Sequence, residues 1–468
     1  MTNSAAPTAK KSFKTPHTFV ILVGLIVITV LLTYVVPAGK FERMKDETSG
    51  RTLVVPGTFK YVDSHPFSIA KIPGVLHRGA VDAADIVIFV LLIGGAFEII
   101  NRTGALMALS CKVARVCRGK RELLVVPFFM ILFSIFGTTM GMSAEVMVFV
   151  PIGIAVAKSL GYDRVTGTAM IGLGALVGFT AGIYNPFSVG IAQSIAELPL
   201  FSGAPMRYVL LAVLIAVSSI YIQRYTNRVK KDPTKSILYG IDDEYDNSQG
   251  NINVEMTKSH VGILLAMLAG LAVLIIGVST LDFWFEEMCA IFVVMGAVSG
   301  AIARYSPSKI ATYFAIGAKE ITAGALTVGF ARAIQVVMTD GIIIDSIVNS
   351  MAIWIQMLPS AVQALGIYLV QNFVNVIIIS GSGQAVVTMP IMVPIADLIG
   401  MSRQTAVLAF QLGDGFTTAI LPTSAATMGY LSAAKIPYSR WLKFVVPLVG
   451  IWFIIGGIFM IAAIITGY

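Results

Sequence analysis

The sequence predicts an all-α polytopic membrane protein built from two inverted repeats, each with a re-entrant hairpin and a discontinuous helix. Three observations predict it. First, 56% of the 468 residues are hydrophobic and only 12% are charged, about half the charged fraction of a water-soluble domain. Second, the apolar residues come in runs of about 20, the length that crosses a bilayer core, rather than in the short amphipathic segments of a soluble core. Third, one stretch of sequence, together with its helix breaks, occurs twice.

The net charge of +8 does not call for nucleic acid. Lys and Arg of a membrane protein collect in cytoplasmic loops, and here they cluster between apolar runs with no nucleic-acid-binding pattern among them. Cys111 and Cys117 lie beside a basic segment of cytoplasmic character, which argues against a structural disulfide; with Cys289 they fit no zinc spacing. His17, His65, His77 and His260 fall at helix ends or in loops, so neither a metal site nor a cofactor is expected. Lys10, Lys11 and Lys14 precede the apolar run Phe19–Val36 in the manner of a signal peptide. That run is too long for a signal h-region and no A-x-A site follows, so it reads as the first transmembrane helix behind a cytoplasmic tail, 1–16.

The first helix spans about His17 to Val36 and ends at Pro37; a polar segment containing Lys45, Asp46, Glu47 and Arg51 follows. The next apolar run, Ala84–Ile100, leads into a basic stretch (Arg102, Lys112, Arg115, Arg118, Lys120, Arg121) that belongs in the cytoplasm. Between 123 and 160, two moderate apolar runs flank "FGTTMGMSAE" (Phe136–Glu145), whose glycines and hydroxyls break helices. A break within the bilayer survives only where protein or a cavity surrounds it, so a re-entrant hairpin is predicted. The run from Val165 is interrupted at "GFTAGIYNPFS" (Gly178–Ser188), where Pro186 removes a backbone donor. A helix at Met206–Ile222 closes the first repeat, 17–225. A cytoplasmic linker, 226–259, and a linking transmembrane helix, 260–286, precede the second repeat, 287–468. That repeat holds helices at Met288–Ala303 and Tyr313–Met338, an amphipathic stretch at Asp340–Leu358 and a second hairpin at 360–399. About nine full crossings result, or about eleven to thirteen if the hairpins span.

"GMSAEVMVFVPI" (Gly141–Ile152) aligns with "SGSGQAVVTMPI" (Ser380–Ile391) at constant offset, placing Ser143 on Ser382, Glu145 on Gln384 and Pro151 on Pro390. "GFT" recurs at Gly178–Thr180 and Gly415–Thr417, and the breaks "NPFS" (Asn185–Ser188) and "LPTS" (Leu421–Ser424) follow within one residue of register. Upstream, Gly94–Gly104 resembles Val328–Gly341 and makes Glu98 and Arg332 equivalent. The basic loop before the first hairpin puts its ends inside; counting crossings puts the ends of the second outside, and Lys435, Arg440 and Lys443 return to the cytoplasm. Two inverted halves with broken helices are the layout of a secondary transporter whose site lies at the repeat interface near mid-membrane.

Broken helices offer N–H groups to anions and bare carbonyls to cations. The candidate substrate- or ion-binding residues are Thr138, Thr139, Ser143, Glu145, Asn185 and Ser188 in the first half. In the second they are Ser380, Ser382, Gln384, Asp414, Thr417, Thr418, Thr423 and Ser424. Any one of these hydroxyls could instead cap a break or bond a backbone carbonyl. Asp414 is the sharpest candidate, because a mid-bilayer carboxylate costs roughly 3 kcal/mol or more, which suggests proton or cation binding; the alternative is a structural hydrogen bond, and Glu145 has the same two readings. Glu98 and Arg332 could pair across the interface, or Arg332 could meet a substrate carboxylate. Asn372 and Asn375 could line the hairpin face or only join helices. With no GxxxxGK[ST] motif, ATP is not the evident energy source; an ion gradient of Na+ or H+ is. No nucleophile–base pair or HExxH motif supports an enzyme. The rival reading is a channel, which also uses re-entrant loops.

Long pieces, among them "KTPHTFVILVGLIVITVLLTYVVPAGKFER", "FGTTMGMSAE", "GFTAGIYNPFSVGIAQ" and "SGSGQAVVTMPIMVPIADLIGMSRQTAVLAFQLGDGFTTAILPTS", make nearly the whole chain resemble the YfcC-like branch of the four-carbon dicarboxylate anaerobic carrier (DcuC-type) family, in the ion transporter superfamily. That pattern often carries two adjacent acidic residues after "GM"; Ser143-Ala144-Glu145 leaves one. The resemblance implies an elevator-type fold with a scaffold and a mobile hairpin-bearing domain. It further implies a homodimer in the lipid of the bacterial inner membrane, and uptake or exchange of dicarboxylates or of amino acids such as arginine and ornithine.

Overall fold

The computed structural model describes residues 18–45, 52–116, 123–241, 254–281 and 283–468. The basic residues of the amino-terminal tail, His17, the acidic and basic group at 46–51, Cys117 with Arg118, Lys120 and Arg121, and the acidic part of the linker at 242–246 lie outside them. The protein is nearly all helical. Helix α1 (Thr18–Val35) leads into strands β1 (Gly39–Lys40), β2 (Arg43–Lys45), β3 (Thr52–Val54) and β4 (Lys60–Tyr61). Then come α2 (Ile72–Asp82), α3 (Ala84–Arg102) and α4 (Ala105–Val116). The first hairpin is α5 (Val125–Met140), a 3-10 segment (Ala144–Phe149) and α6 (Val150–Ser159). The first broken helix is α7 (Arg164–Ala181), a π-helical turn (Pro186–Gly190) and α8 (Ile191–Ile195), followed by α9 (Ala204–Lys231). The second half holds α10 (Lys258–Thr280), α11 (Phe285–Ile302), α12 (Pro307–Asp340) and α13 (Ile344–Gln356). Its hairpin is α14 (Ser360–Ile377) and α15 (Gly381–Ile399), its broken helix α16 (Arg403–Thr418) and α17 (Ala425–Ala433), and α18 (Tyr438–Thr466) ends the fold.

Among the described residues, eight helices are long and apolar enough to cross a membrane. Both legs of the first hairpin and the first leg of the second are shorter. Two differences from the sequence reading stand out. The polar segment after α1 is not plain loop: β1 pairs antiparallel with β4 and β2 with β3, and α2 follows. Strands of two or three residues are too short to show an alternating pattern, so the sequence gives no sign of them. Their fold is held from outside, where Arg43 grips the buried carboxylate of Asp345 through both oxygens, at 3.0 and 2.6 Å. The other difference is α9, which continues through Arg224 and Arg228 to Lys231, past the predicted start of the linker. Basic side chains in its last turn suit the negative end of the helix dipole.

The helices fall into two groups. In one, α3 packs on α11 and α12, with α1 and α2 on α12 and α10 on α11. In the other, the two repeats pack alike: α5 and α6 on α7, α14 and α15 on α16, with α9 and α18 behind. The broken helices form the centre. Every residue of α16 is buried, as is every residue of α7 except Phe179. Such depth needs small residues. A Cβ on Gly178 would stand 2.0 Å from the backbone oxygen of Ser134, and one on Gly415 2.0 Å from Thr180 Oγ1, so α5 meets α7 at backbone contact, and the Thr180 side chain of α7 seats against the bare backbone of α16.

Arg403 locks the two broken helices' outer ends together. Its buried guanidinium bonds both oxygens of Asp397 at 2.9 and 2.8 Å, the carbonyl of Ala196 at 3.0 Å and Glu197 at 3.1 Å. Removing one partner of a buried pair leaves the other charge uncompensated, so Arg403→Gln is expected to cost about 3–5 kcal/mol. Thermal unfolding in detergent checks this, and a variant as stable as the parent refutes it.

Candidate functional site

Both hairpin tips and both helix breaks converge. Helix α5 stops at Gly141, which takes the left-handed conformation at φ +62° and leaves no room for a side chain against Asn185 and Phe187. Chain 142–143 then turns into the 3-10 segment. Opposite it, α14 ends at Ile377, residues 378–380 run extended, and Ser380 caps α15 by accepting from Gly383 N–H at 3.2 Å. The tips face each other across a cavity of about 440 Å³ lined by Ser143, Glu145, Ser380, Ser382, Asp414, Thr418 and Ser424. The other helix group contributes Glu98 and Asn101 of α3, and Gly317, Glu320 and Gly324 of α12.

Asp414 is the most distinctive group here. Only 3% of it is exposed, its Oδ2 has no hydrogen-bond partner, and the same oxygen lies 2.6 Å from where a Cβ on Gly381 would stand. The carboxylate is thus pressed against the second tip, at the foot of the cavity. Ser424 caps α17, accepting from Thr427 N–H at 3.2 Å. The positive ends of α15 and α17 therefore border the cavity. Glu145 is exposed; its carboxylate accepts from Ser143 N–H at 2.9 Å, and the Ser143 carbonyl in turn accepts from Tyr430 Oη.

The other sequence candidates are not on the cavity wall. Thr138 sutures α5 to the first break, its Oγ1 accepting from Ile183 N–H at 2.9 Å and its carbonyl from Tyr184 N–H at 3.0 Å. Thr139 bonds back to the Ile135 carbonyl at 2.6 Å. Asn185 caps the turn after the first break through Phe187 N–H at 2.9 Å, with its buried Nδ2 unpartnered. Ser188 accepts from Gln411 at 3.0 Å. Gln384 is buried and bonds the carbonyl and side chain of Gln371 at 2.9 and 2.8 Å. Thr417 donates to the Gly413 carbonyl at 2.9 Å, and Thr423 is half-buried beside the second break.

Asn375 joins helices: its Nδ2 donates to the Asp414 carbonyl and to Thr417 and Thr418, at 2.8, 2.7 and 3.2 Å. Asn372 bonds Tyr368 of its own helix. Glu98 and Arg332 do not pair. Glu98 meets Arg102, one turn away, at 2.5 Å, whereas Arg332 donates to Gln335 at 2.5 Å. Arg332 lines a second cavity of about 700 Å³, with Asp82, Asp85 and Thr339 among its walls. Positions 98 and 332 are equivalent in the repeats, and symmetry carries equivalent residues to opposite ends of the helix pair rather than to one contact.

Two residues went unnoticed in the sequence. Gln411 bridges the broken helices, donating to the Phe179 carbonyl at 2.7 Å and to Ser188. A polar residue one turn before Asp414 in an apolar run was the available signal. Glu320 lines the cavity from α12, but a glutamate beside a lysine near a helix start reads as solvated surface.

Residues 15–465 match the DcuC family, C4-dicarboxylate anaerobic carrier. The chain is 33% identical, over 97% of both chains, to the Escherichia coli (strain K12) protein YfcC, named as a candidate basic amino acid antiporter. It is 28% identical to an uncharacterized protein of Haemophilus influenzae (strain ATCC 51907 / DSM 11121 / KW20 / Rd), over 97% of this chain and 98% of that one. Among solved structures, the Alcanivorax borkumensis YdaH transporter, described as having an unusual topology, superposes with a TM-score of 0.71 at 15% identity, over 97% of this chain and 99% of that one. Neisseria gonorrhoeae MtrF, from a class of antimetabolite efflux pumps, superposes with a TM-score of 0.69 at 17% identity, over 96% and 95%. Those two likenesses establish the shared fold.

Proposed function

The chain belongs to the C4-dicarboxylate anaerobic carrier family and is a multi-pass membrane transporter, and from that premise we propose that it carries basic amino acids such as arginine and ornithine across the bacterial inner membrane, by exchange or on an ion gradient. The observation that carries this reading is the charge of the cavity wall. Among the described residues, the wall bears the carboxylates of Glu98, Glu145, Glu320 and Asp414 and no Lys or Arg side chain, the nearest guanidinium being that of Arg102, which reaches Glu98 from outside the wall. A low-dielectric cleft lined with one sign of charge concentrates the opposite sign. A cationic side chain suits it; a dicarboxylate dianion does not. The substrate's own α-carboxylate is served by the N–H ends of α15 and α17 with Ser380, Ser382 and Ser424, the arrangement by which half-helices hold a substrate carboxylate.

Asp414 is the coupling group in this scheme, for H+ or Na+, because its Oδ2 is buried, unpartnered and set beside the second tip. The packing supports an elevator motion in which α5–α9 with α14–α18 slide against α3, α11 and α12. The amino terminus, the Arg102 end of α3 and the Lys231 end of α9 are cytoplasmic in this reading, and the working unit is a homodimer.

The family's description favours a second reading, transport of four-carbon dicarboxylates. Counterflow in proteoliposomes separates the two. Labelled L-arginine is expected to accumulate against internal arginine or ornithine and to be indifferent to succinate. Saturable succinate counterflow with none for arginine overturns the basic-amino-acid reading, and single-channel currents without counterflow overturn carrier action.

A further inference from the structure

Arg102 reaches a carboxylate of the cavity wall from outside the wall. Glu98, on α3, lines the cavity, and its side chain is 9% exposed, while that of Arg102 is 48% exposed. Arg102 Nε donates to Glu98 Oε1 at 2.5 Å. Its guanidinium carbon lies 5.5 Å from the centre of the Tyr313 ring, within cation–π range. Tyr313 is positioned by Tyr305, whose ring meets it edge-on at 5.4 Å and whose hydroxyl donates to the Arg102 carbonyl at 2.7 Å. A second cation, Lys309, lies over Tyr305 at 4.2 Å and 5.6 Å from the Tyr313 ring. Glu320, on the same cavity wall, adds a further carboxylate.

A planar guanidinium held by a carboxylate on one edge and an aromatic face on the other is the preferred environment of that group. Here the chain fills it with its own side chain. The pair is also unequal in an informative way: the acid is buried at the cavity wall, and the base is held at a half-exposed position by one i,i+4 ion pair and the Tyr313 face. Exchange of one cation for another keeps Glu98 paired throughout, and the half-exposed i,i+4 contact itself contributes only about 0.3–1 kcal/mol, so a free cation can compete. Resting on the basic-amino-acid reading, we propose that Glu98 and Tyr313 form the recognition site for the substrate's cationic head, and that Arg102 is its tethered occupant. Entering substrate displaces Arg102 from Glu98, and departing substrate is replaced by it, so the buried carboxylate always faces a cation.

Binding of L-arginine to the purified full-length protein, with transport in proteoliposomes alongside, tests this with Arg102→Gln, Glu98→Gln and Tyr313→Leu. Removing the competitor is expected to tighten arginine binding by about two- to fivefold, the factor that loss of a competing contact of about 0.3–1 kcal/mol gives. Glu98→Gln is expected to weaken it by about tenfold or more through loss of the charge-assisted bond, and Tyr313→Leu by a smaller factor. Citrulline, which keeps the shape but not the charge, should show no gain from Arg102→Gln. If the parent protein binds arginine and Arg102→Gln weakens binding or leaves it unchanged, the displacement scheme is overturned while the basic-amino-acid reading stands. A parent protein that binds no basic amino acid overturns both. If Arg102→Gln does not insert, Arg102→Lys provides the same comparison: it keeps the charge without Nε, and should bind arginine at least as tightly as the parent; weaker binding overturns the scheme.

Discussion

Asp414→Asn abolishes gradient-driven accumulation of substrate and leaves the protein folded and inserted. The side chain is buried one turn before the end of α16, within the membrane, at a cost of about 3 kcal/mol, yet one of its oxygens makes no hydrogen bond. Its backbone is what serves the structure: the carbonyl accepts from Asn375 and Thr418 at 2.8 and 2.7 Å, and asparagine keeps both contacts. The substitution therefore removes a titratable carboxylate, the proposed coupling group, with little change of shape. One elementary charge moving through 100 mV supplies about 2.3 kcal/mol, or about a fiftyfold concentration ratio, and that ratio is expected to fall to unity in the variant. Uptake by proteoliposomes under an imposed gradient measures it, with size-exclusion behaviour in detergent as the control for folding. Full accumulation by Asp414→Asn removes the coupling role.

Gly178→Ala is expected to destabilise the protein by about 2–3 kcal/mol, the upper end of overpacking in a tight core. The added methyl meets the oxygen of Ser134 at 2.0 Å and its Cα and carbonyl carbon at 2.7 Å. All three are backbone atoms of α5, so no rotamer change relieves the clash and the helices must part. Parting them pulls the first hairpin from the first broken helix, and with it Ser143 and Glu145 from the cavity. Gly366→Ala is the matched control, since nothing lies within 4 Å of its Cβ position and alanine is the better helix former there by about 1 kcal/mol. Thermal unfolding of the two variants should move in opposite directions; equal midpoints would remove the argument from close helix approach.

Several elements were legible in the sequence because their signals are local. The helices at Thr18–Val35 and Ala84–Arg102 end within a few residues of where hydropathy places them, and the amphipathic stretch at Asp340–Leu358 holds the helix Ile344–Gln356. The breaks at Gly141, Gly182 and Ile377 fall where glycine, proline and hydroxyl residues interrupt apolar runs. The short strand pairs near Gly39 and Thr52 were not legible, because strands of two or three residues carry no alternating pattern and the Arg43–Asp345 clamp that holds them joins residues 302 positions apart in the chain. Half of the site candidates share one wall, while Thr138, Gln384 and Thr417 turn their polar atoms inward to neighbouring backbone and side chains. A hydroxyl in an apolar helix looks the same in sequence whether it meets solute or suture.

By itself the sequence determined that this is a membrane protein, that it repeats, and where its helices break, since run length, composition and register are properties of the chain alone. Only the tertiary structure decided that Glu98 pairs with Arg102 and not Arg332, and that four carboxylates face one cavity. Those outcomes depend on which faces two crossing helices turn toward each other: α3 and α12 meet so closely that a Cβ on Gly317 would stand 2.4 Å from the Gly94 carbonyl and from the Glu98 side chain, an approach that no pattern along the chain announces.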